Sequence, residues 1–282
     1  MLLCFVVSSR GLMSDRLDQL VASLSAQTDR RFVLGLCDQS RDGSVTELAR
    51  RWSGTVRLYV CHSRPGLSAG RNAVLDRAPC DVTHFAFPND TTVLPANFVE
   101  SVARHCGDED VLEVSYLEEG RARYRLREGV EPLTRANVWD VLEPAMILKR
   151  QVIEDADGFD EEIGTGASTP WQSGEGTDLL LRVLDRRPLQ VRWLPQVAVI
   201  GVHQAHGLTE SEARRKLRAY GRGFGYVAAR HALPWRFQLV HLAAPLVKSV
   251  LRPRRAGFAD AMASSAGRAE GVVAGIRARR RE

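Results

Sequence analysis

The sequence predicts an α/β fold with a mostly parallel, twisted β-sheet that carries helices on both faces. Three observations support this prediction. Short apolar segments alternate with amphipathic helical segments over residues 2–87, which is typical of a parallel sheet. Each apolar segment is followed by a polar stretch rich in small residues. The chain has 282 residues, of which 44% are hydrophobic and 26% charged, which is ordinary globular composition and enough for a large core.

The elements of the first half follow from the spacing of their apolar residues. Predicted strands have continuous apolar runs, whereas predicted helices repeat apolar residues every three or four positions. Ser14 is expected to cap the first helix. The predicted strands are residues 2–8, 32–38, 56–62 and 82–87, and the predicted helices are residues 14–27, 43–52 and 67–78.

The second half of the chain is less regular. Its charged stretch 117–137 predicts a surface hairpin or loop, and its Gly-, Ser- and Thr-rich stretch 158–176 predicts a long, mobile loop. We expect one domain over residues 1–207 and a helical, basic extension over residues 208–282. Further expected elements are an apolar element at 144–153, a helix at 177–185, a strand at 189–200, a helix interrupted by glycines at 211–231, and an apolar segment at 235–253.

Cysteine content and charge limit the function classes. The five cysteines are odd in number and lack C-x-x-C spacing, so a reduced cytosolic protein is expected rather than a disulfide framework or zinc site. The N-terminal apolar run is short and lacks the charged start of a signal peptide. The net charge of +5 is compatible with nucleic acid, anionic lipid or phosphorylated ligands.

Polar segments follow all four predicted strands of the first half. Because the carboxyl ends of parallel strands meet at one edge of a sheet, these segments are expected to form a ligand site together. The segments are SSRG (8–11), DQSRDGS (38–44), HSRPGLSAGRN (62–72) and PNDTT (88–92).

Three charged residues in these segments suit a nucleoside diphosphate. Asp38 has the chemistry to accept a base N–H, although on its own the segment is typical of a capped loop. Arg71 follows a glycine-bearing loop that favours anions, although a tight turn with a solvated arginine has the same composition. Asp90 has the chemistry to hold Mg²⁺ or Mn²⁺ if the diphosphate supplies further oxygen ligands, whereas Pro, Asn and Asp are also common turn residues.

Three ionisable residues of the second half are further candidates. His203 follows a strand and is a candidate for a single metal or phosphate contact, with a structural histidine as the alternative. Glu175 and Asp178 lie three residues apart at a helix start, which places both carboxylates near one face. One of them is a candidate general base, although acids in a first helical turn are also favoured by the helix dipole.

Taken in order, these motifs resemble family 2 glycosyltransferases with the GT-A fold. The resemblance covers about residues 3–225 and depends on the order of its motifs. The motifs are DQSRDGS, RPGLSAGRN, FPND, GFDE and SGEGTDLLLR, followed by a histidine after the next strand. The resemblance implies inverting transfer of a sugar from a nucleotide-sugar donor to a hydroxyl of a glycan or lipid-linked acceptor.

The resemblance also implies roles for individual residues. Glu175 or Asp178 would be the catalytic base, Trp171 would stack on an acceptor sugar, and Asp90 and His203 would contact Mg²⁺ or Mn²⁺. The family's metal motif usually has two or three acids where this chain has Asn89-Asp90-Thr91, and Gly176 replaces the second acid of the family's Glu-Asp pair. The residues implied in nucleotide-sugar binding are Ser8, Arg10, Asp38, Ser40, Gly66, Arg71, Asn72, Asn89 and Asp90.

The C-terminal region leaves two interpretations open. The apolar block 235–251 contains Arg236, Pro245 and Lys248, which makes it too polar for a confident membrane span. It is expected either to lie in a membrane interface beside an arginine-rich tail or to pack on the preceding domain. The expected location is cytoplasmic, with peripheral contact at the inner face of the cell membrane under the first interpretation.

Other function classes fit the sequence less well. A sugar nucleotidyltransferase would need a glycine-rich loop with a lysine after the first strand, where this chain has SSRG. A nicotinamide dehydrogenase would need G-x-G-x-x-G there. Nucleic acid is not expected as a partner because basic residues are not interleaved with aromatic ones. The remaining alternative is a non-catalytic protein of this fold that binds a glycan or sugar nucleotide.

Overall fold

The fold is described from a computed structural model that covers residues 1–124, 126–202, 207–251 and 257–280. The chain divides into two compact units. The first unit comprises Met1–Pro65, Ala69–Phe159 and Leu179–His203, and the second comprises Gly66–Ser68, Asp160–Asp178 and Gln204–Glu282. The division into domains at residue 207 stays a prediction.

A single β-sheet organises the first unit. Within the described residues it has nine strands, in the order β3-β2-β1-β4-β8-β5-β9-β7, with β6 paired to β5. The strands are β1 (Leu3–Ser9), β2 (Phe32–Asp38), β3 (Leu58–His62), β4 (His84–Ala86), β5 (Val111–Glu118), β6 (Arg121–Ala122), β7 (Gly129–Leu133), β8 (Met146–Lys149) and β9 (Leu189–Gly201).

The strand directions confirm a mostly parallel sheet. Strands β1 to β4 are mutually parallel, and β5 and β9 run in the same direction as each other. Strand β8 lies antiparallel between β4 and β5, so β5 and β9 share the direction of the first four. Strands β6, β7 and β8 run the opposite way. The charged stretch after β5 begins as the predicted hairpin, since β6 pairs back onto β5.

The predicted helices are present in the described residues with shifted ends, whereas two further helices, Phe98–His105 and Arg150–Ala156, were not predicted. The first predicted helix begins at Ser14, and Met13, the capping position, makes no side-chain hydrogen bond; the prediction that Ser14 is the cap is therefore wrong. The helices are α1 (Ser14–Ser25), α2 (Ser44–Trp52), α3 (Leu67–Leu75), α4 (Phe98–His105), α5 (Arg150–Ala156), α6 (Glu175–Leu184), α7 (Glu210–Arg230), α8 (Trp235–Leu251) and α9 (Phe258–Arg279).

Helices cover both faces of the sheet, as predicted. On one face, alternate residues of β1 and β2 pack with the apolar sides of α1, α2 and α4 in the main core. On the other face, Gly35 of β2 lies against α3, where a Cβ at Gly35 would come within 2.3 Å of Val74. The Tyr59 hydroxyl donates to Val74 O at 2.8 Å on this same face. All five cysteines are free thiols.

Glu113 of β5 is a buried carboxyl group with a raised pKa. Its Oε1 accepts from Leu142 N at 2.9 Å, and burial raises its pKa well above the ordinary value of 4.5. Because the pKa of this acid is higher in the folded than in the unfolded state, its contribution to stability is largest when the pH lies below the pKa of the unfolded state. This stability is then lost as the pH rises from that value to the pKa of the folded state.

We therefore expect Glu113→Gln to be more stable than the parent at pH 8, by about 1–3 kcal/mol. At pH 5 the gain in stability over the parent should be smaller. Urea unfolding at the two pH values measures the difference. The exposed Glu128→Gln is the control and is expected to leave the pH dependence unchanged. An equal effect of Glu113→Gln at both pH values would contradict the prediction.

Helices α7 and α9 of the second unit pack parallel through glycines. A Cβ at Gly267, Gly271 or Gly275 of α9 would come within 2.0–2.5 Å of a backbone oxygen of α7, and one at Gly225 of α7 within 2.1 Å of Arg268 O. Glycine is required because the backbones approach this closely. The predicted interruption of α7 by glycines is wrong, since the helix is continuous over Glu210–Arg230.

We expect Gly271→Ala to destabilise the protein by about 1–3 kcal/mol or more, because the new Cβ would lie 2.1 Å from Arg222 O. This sign is opposite to the usual effect of Gly→Ala in a helix. Thermal unfolding followed by circular dichroism measures it. Gly54→Ala is the control, since a Cβ there meets nothing within 4 Å, and a Gly271→Ala protein as stable as this control would contradict the close contact.

Candidate functional site

The polar segments after β1, β2, β3 and β4 meet at one edge of the sheet. Ser9 pairs in register with Asp38, and Asp38 with His62, so the loops begin at the same level. Gln39 N donates to Ser9 O at 2.9 Å, and Gln39 Nε2 donates to Ser63 Oγ at 2.8 Å. The expectation that these segments converge is confirmed within the first unit.

A glycine in α3 allows the helix to approach these loops closely. A Cβ at Gly70 would lie 2.2 Å from Ser8 Oγ and 3.0 Å from Gln39 Nε2. The contact with Ser8 is too short for a real side chain, so Gly70 lets α3 pack on the ends of β1 and β2. Ser8 is half-buried, and Arg10 in the same loop is exposed. Arg10 is therefore a cation at this edge that a phosphate can reach.

Asp90 lies in the loop after β4 and is oriented by β1. Thr92 N donates to Asn89 O at 3.0 Å, so these residues form the turn that their composition indicates. The Ser9 hydroxyl donates to Asp90 Oδ2 at 2.7 Å and accepts from Gly11 N at 3.2 Å. Burial raises the pKa of Asp90, and the Ser9 hydrogen bond partly offsets this. The carboxylate is thus a half-buried group held towards the loop of β1.

The metal ligand that the described residues offer to a hard divalent cation at this edge is the carboxylate of Asp90. Within the described ranges, no group of three or more His, Cys, Asp or Glu side chains is placed to hold a metal ion. Mg²⁺ usually keeps several waters and takes one or two carboxylates together with substrate phosphates. The oriented Asp90 carboxylate meets that requirement. His203, the other predicted metal contact, lies outside the described residues.

Asp38 is committed to the loop and helix that follow it. Its Oδ1 accepts from Ser40 N at 2.8 Å and Ser40 Oγ at 2.5 Å, and its Oδ2 accepts from Thr46 N at 3.0 Å and Thr46 Oγ1 at 2.5 Å. Burial opposes ionisation of Asp38, but these hydrogen bonds outweigh it and lower its pKa. The arrangement favours the loop-capping interpretation, and a base contact by Asp38 stays a prediction.

Arg71 is buried rather than solvated. Its Nη1 donates to Glu143 Oε1 at 2.5 Å, and its guanidinium lies 5.6 Å from the centre of the Phe87 ring and 5.3 Å from that of Phe159. The side chain is 1% exposed. The interpretation of Arg71 as a solvated arginine in a tight turn is therefore wrong. Its burial favours a structural role over the predicted contact with a pyrophosphate.

Asn72 holds the loop that carries the GFDE motif. Its Nδ2 donates to Phe159 O at 2.9 Å, and its Oδ1 accepts from Phe159 N at 2.9 Å. The preceding Gly158 has φ +73°, a conformation that favours glycine. Asn72 therefore fixes a turn, and its predicted contact with the donor stays a prediction.

Glu175 begins α6 and lies among backbone turns of the second unit. It is 5% exposed. A Cβ at Gly164, which has φ +119°, would lie 3.2 Å from the Glu175 carboxyl carbon and 2.9 Å from Ser68 Oγ. Ser68 Oγ in turn donates to Ile163 O at 2.5 Å. Gly66, which was predicted to bind the nucleotide sugar, also belongs to this unit and has φ +132°.

Asp178 is paired with a histidine from a distant part of the sequence. Its Oδ1 lies 2.8 Å from His231 Nε2, and Asp178 has no exposed surface. Arg230, the residue before His231, donates to Asp160 Oδ2 at 2.6 Å. Asp178 is therefore part of a buried polar network, and its role as the catalytic base stays a prediction.

Trp171 stacks on a tyrosine of α7. Its ring lies 4.4 Å from that of Tyr226, with 4° between the ring planes. The tryptophan is half-buried, so one face of the indole is covered by Tyr226. Stacking of Trp171 on an acceptor sugar stays a prediction.

The loop before α6 is held by its own hydrogen bonds. Gly164 N donates to Trp171 O at 2.8 Å. Gly166 N donates to Gln172 Oε1 at 2.8 Å, and Gln172 Nε2 donates to Ala167 O at 3.0 Å. The side chain of Gln172 therefore links two parts of this loop through hydrogen bonds to the backbone. The sequence composition, which predicted a mobile loop, did not indicate these hydrogen bonds.

Several residues of the site were missed by the sequence analysis. Ser9 orients Asp90, Glu143 pairs with Arg71, and His231 pairs with Asp178. Ser9 and Asp90 are 81 residues apart in the sequence, Arg71 and Glu143 are 72 apart, and Asp178 and His231 are 53 apart. Ser9 had a local signal, because it ends the strand beside the one that leads to Asp90, whereas the other two had none.

Comparisons with known proteins show the fold. No family model and no curated protein matches the chain. Among solved structures, S. aureus TarS 1–349 in complex with UDP-GlcNAc is similar at a TM-score of 0.62 and 14% identity, over 95% of this chain and 91% of that one. Mannosyltransferase PcManGT from Pyrobaculum calidifontis, in complex with GDP-Man and Mn²⁺, is similar at a TM-score of 0.59 and 14% identity, over 96% and 86% of the chains. The chain therefore has the GT-A-like fold of these nucleotide-sugar complexes, as the sequence predicted.

Proposed function

We propose that the chain is an inverting family 2 glycosyltransferase. It would move a sugar from a nucleotide-sugar donor to a hydroxyl of a glycan or lipid-linked acceptor in the cytoplasm. The main support is the Asp90 carboxylate, which lies where the four loops converge. It is oriented by the Ser9 hydroxyl, which donates a hydrogen bond to Asp90 Oδ2 at 2.7 Å. The fold supports the same proposal, because two similar structures contain UDP-GlcNAc and GDP-Man.

In the proposed reaction the first unit binds the nucleotide diphosphate. Exposed Arg10 pairs with a phosphate, and Asp90, with Asn89 beside it, is the residue that would hold Mg²⁺ or Mn²⁺. When bound, the ion would neutralise negative charge on the leaving diphosphate. Asp38 keeps the loop of β2 and the start of α2 in place through Ser40 and Thr46, which preorganises the loop for the base.

The proposed proton transfer involves an acid in the first turn of α6. Glu175 would take the proton of the acceptor hydroxyl as its oxygen bonds to the anomeric carbon. The bond from that carbon to the diphosphate oxygen breaks, and the diphosphate leaves with the electron pair. We assign this role to Glu175 because Asp178 is fully buried and bonded to His231. Asp178 and His231 would position the first turn of α6.

Thermal-shift measurements with UDP-, GDP- and dTDP-sugars, each with and without Mn²⁺, test the proposal. One donor at 100 times its Kd is expected to raise Tm by about 5 °C or more, and more with Mn²⁺ than without it. No shift with any nucleotide sugar would contradict the proposal.

A non-catalytic protein that binds a glycan or sugar nucleotide is the second candidate. It is favoured by the absence, within the described parts of the chain, of a cluster of three metal-ligating side chains. Release of nucleoside diphosphate separates the two functions. An enzyme releases it faster when a matching acceptor is added, whereas a binding protein shows a Tm shift with no release.

A further inference from the structure

Helix α8 of the second unit packs on its neighbours through one side. Phe237 and His241 of α8 have ring centres 3.9 Å apart and both stack on Phe224 of α7. Ser265 Oγ of α9 donates to Leu242 O at 2.8 Å. These contacts fix which side of α8 faces the other two helices.

The opposite side of α8 is exposed and mostly apolar, with one charged residue, Arg236, among its apolar side chains. Its large apolar side chains are between 51% and 74% exposed. At 100° per residue they fall within an arc of about 160°, along a helix about 25 Å long. These residues are Trp235, Leu239, Val240, Val247, Val250 and Leu251, and we call them the α8 apolar face.

An ordinary surface helix does not present this arrangement. Such helices direct their apolar stripe to the core and their charged residues to water. Helix α8 instead exposes large apolar side chains, and the described part of the chain covers only the side with Phe237 and His241. A contiguous exposed apolar patch marks a protein or membrane contact in a soluble domain.

The charged residues of α8, and those of the sequence directly after it, have one sign. Helix α8 contains Arg236 and Lys248 and no acidic residue, and Arg252, Arg254 and Arg255 follow it in the sequence. The nearest acids in sequence, Asp260 and Glu270 of α9, are paired with arginines of α7. An apolar stripe with basic residues complements an anionic lipid surface, since acyl chains accept the stripe and headgroups accept the cations.

We propose that the α8 apolar face inserts into the interface of an anionic membrane, with the helix axis parallel to the surface. Trp235 suits this depth because indole has an apolar body and a polar N–H. None of the described helices is long and apolar enough to cross a bilayer. The proposal is independent of sugar transfer, because it concerns binding without donor or acceptor.

Flotation of the full chain with vesicles tests this inference. We expect binding to phosphatidylcholine vesicles with 30% phosphatidylglycerol and about tenfold weaker binding to pure phosphatidylcholine. Val240→Asp and Val247→Asp are expected to weaken binding to the anionic vesicles by about tenfold or more. Val130→Asp, at an exposed valine of β7, is the matched control and is expected to bind like the parent.

A second measurement needs no disruptive variant. Brominated lipids are expected to quench the part of the fluorescence that is lost in Trp235→Phe, because the indole would lie among acyl chains. Equal quenching of the parent and Trp235→Phe would overturn the proposal. Absence of vesicle binding, with a dimer in analytical ultracentrifugation that Val247→Asp dissociates, would also overturn it and assign the face to a second copy of the chain.

Discussion

Asp90→Asn is expected to lower the rate of nucleoside diphosphate release by about 100- to 1,000-fold, the range for loss of one group that stabilises a leaving charge. The substitution keeps the size of the side chain and an acceptor for the Ser9 hydroxyl but removes the negative charge that a divalent cation requires. Turnover should also lose its dependence on Mn²⁺. Steady-state release at saturating donor, measured over a range of Mn²⁺ concentrations, gives both quantities.

Asp42→Asn is the control for this prediction. Asp42 lies in the neighbouring loop after β2 and is exposed, and its Oδ1 accepts from Ser44 N at 3.1 Å, which asparagine also allows. Its turnover is expected to stay within about twofold of the parent. An Asp90→Asn protein with parental turnover and parental metal dependence would show that the diphosphate is not held through this carboxylate.

Glu175→Gln is expected to lower turnover by about 100- to 10,000-fold, the usual contribution of a general base. Donor binding should not change, because the proposed role of Glu175 concerns the acceptor proton. The two effects are separated by measuring turnover with acceptor and the donor-induced change in Tm on the same protein. The exposed Glu162→Gln is the matched control in this unit and is expected to retain both.

The neighbouring acid provides the test of this assignment. Asp178→Asn changes a buried group bonded to His231, so we expect lower stability, of about 1–3 kcal/mol, with a smaller loss of turnover. If Asp178→Asn instead abolished turnover without a change in Tm, while Glu175→Gln remained active, Asp178 would be the base.

The first half of the fold was predictable because its signals are local. Continuous apolar runs predicted β1 to β4, and the β2 bounds match the prediction at both ends, Phe32 and Asp38. The convergence of the four loops then followed from strand direction. What local composition did not provide was the partner of each polar residue, as for Ser14, which begins its helix without capping it.

The candidate site was less predictable because its charged groups are held by distant partners. Arg71 has the sequence context of an anion-binding residue, yet Glu143, Phe87 and Phe159 enclose it. In α7 the glycines weaken helix propensity, so the sequence predicted an interruption. They are retained in a continuous helix because α9 contacts the backbone there. The four-residue spacing of Gly267, Gly271 and Gly275 is a sequence signal for this contact, and the prediction did not use it.

The parallel contact of α7 with α9 has a consequence for synthesis on the ribosome. Arg222 meets Glu270, which is translated 48 residues later, after all of α8. At ordinary translation rates this interval lasts roughly 2 to 10 seconds, during which the glycine-lined surface of α7 and both sides of α8 are exposed to solvent. The second unit is therefore most vulnerable to aggregation or to capture by a chaperone between the emergence of α7 and that of α9.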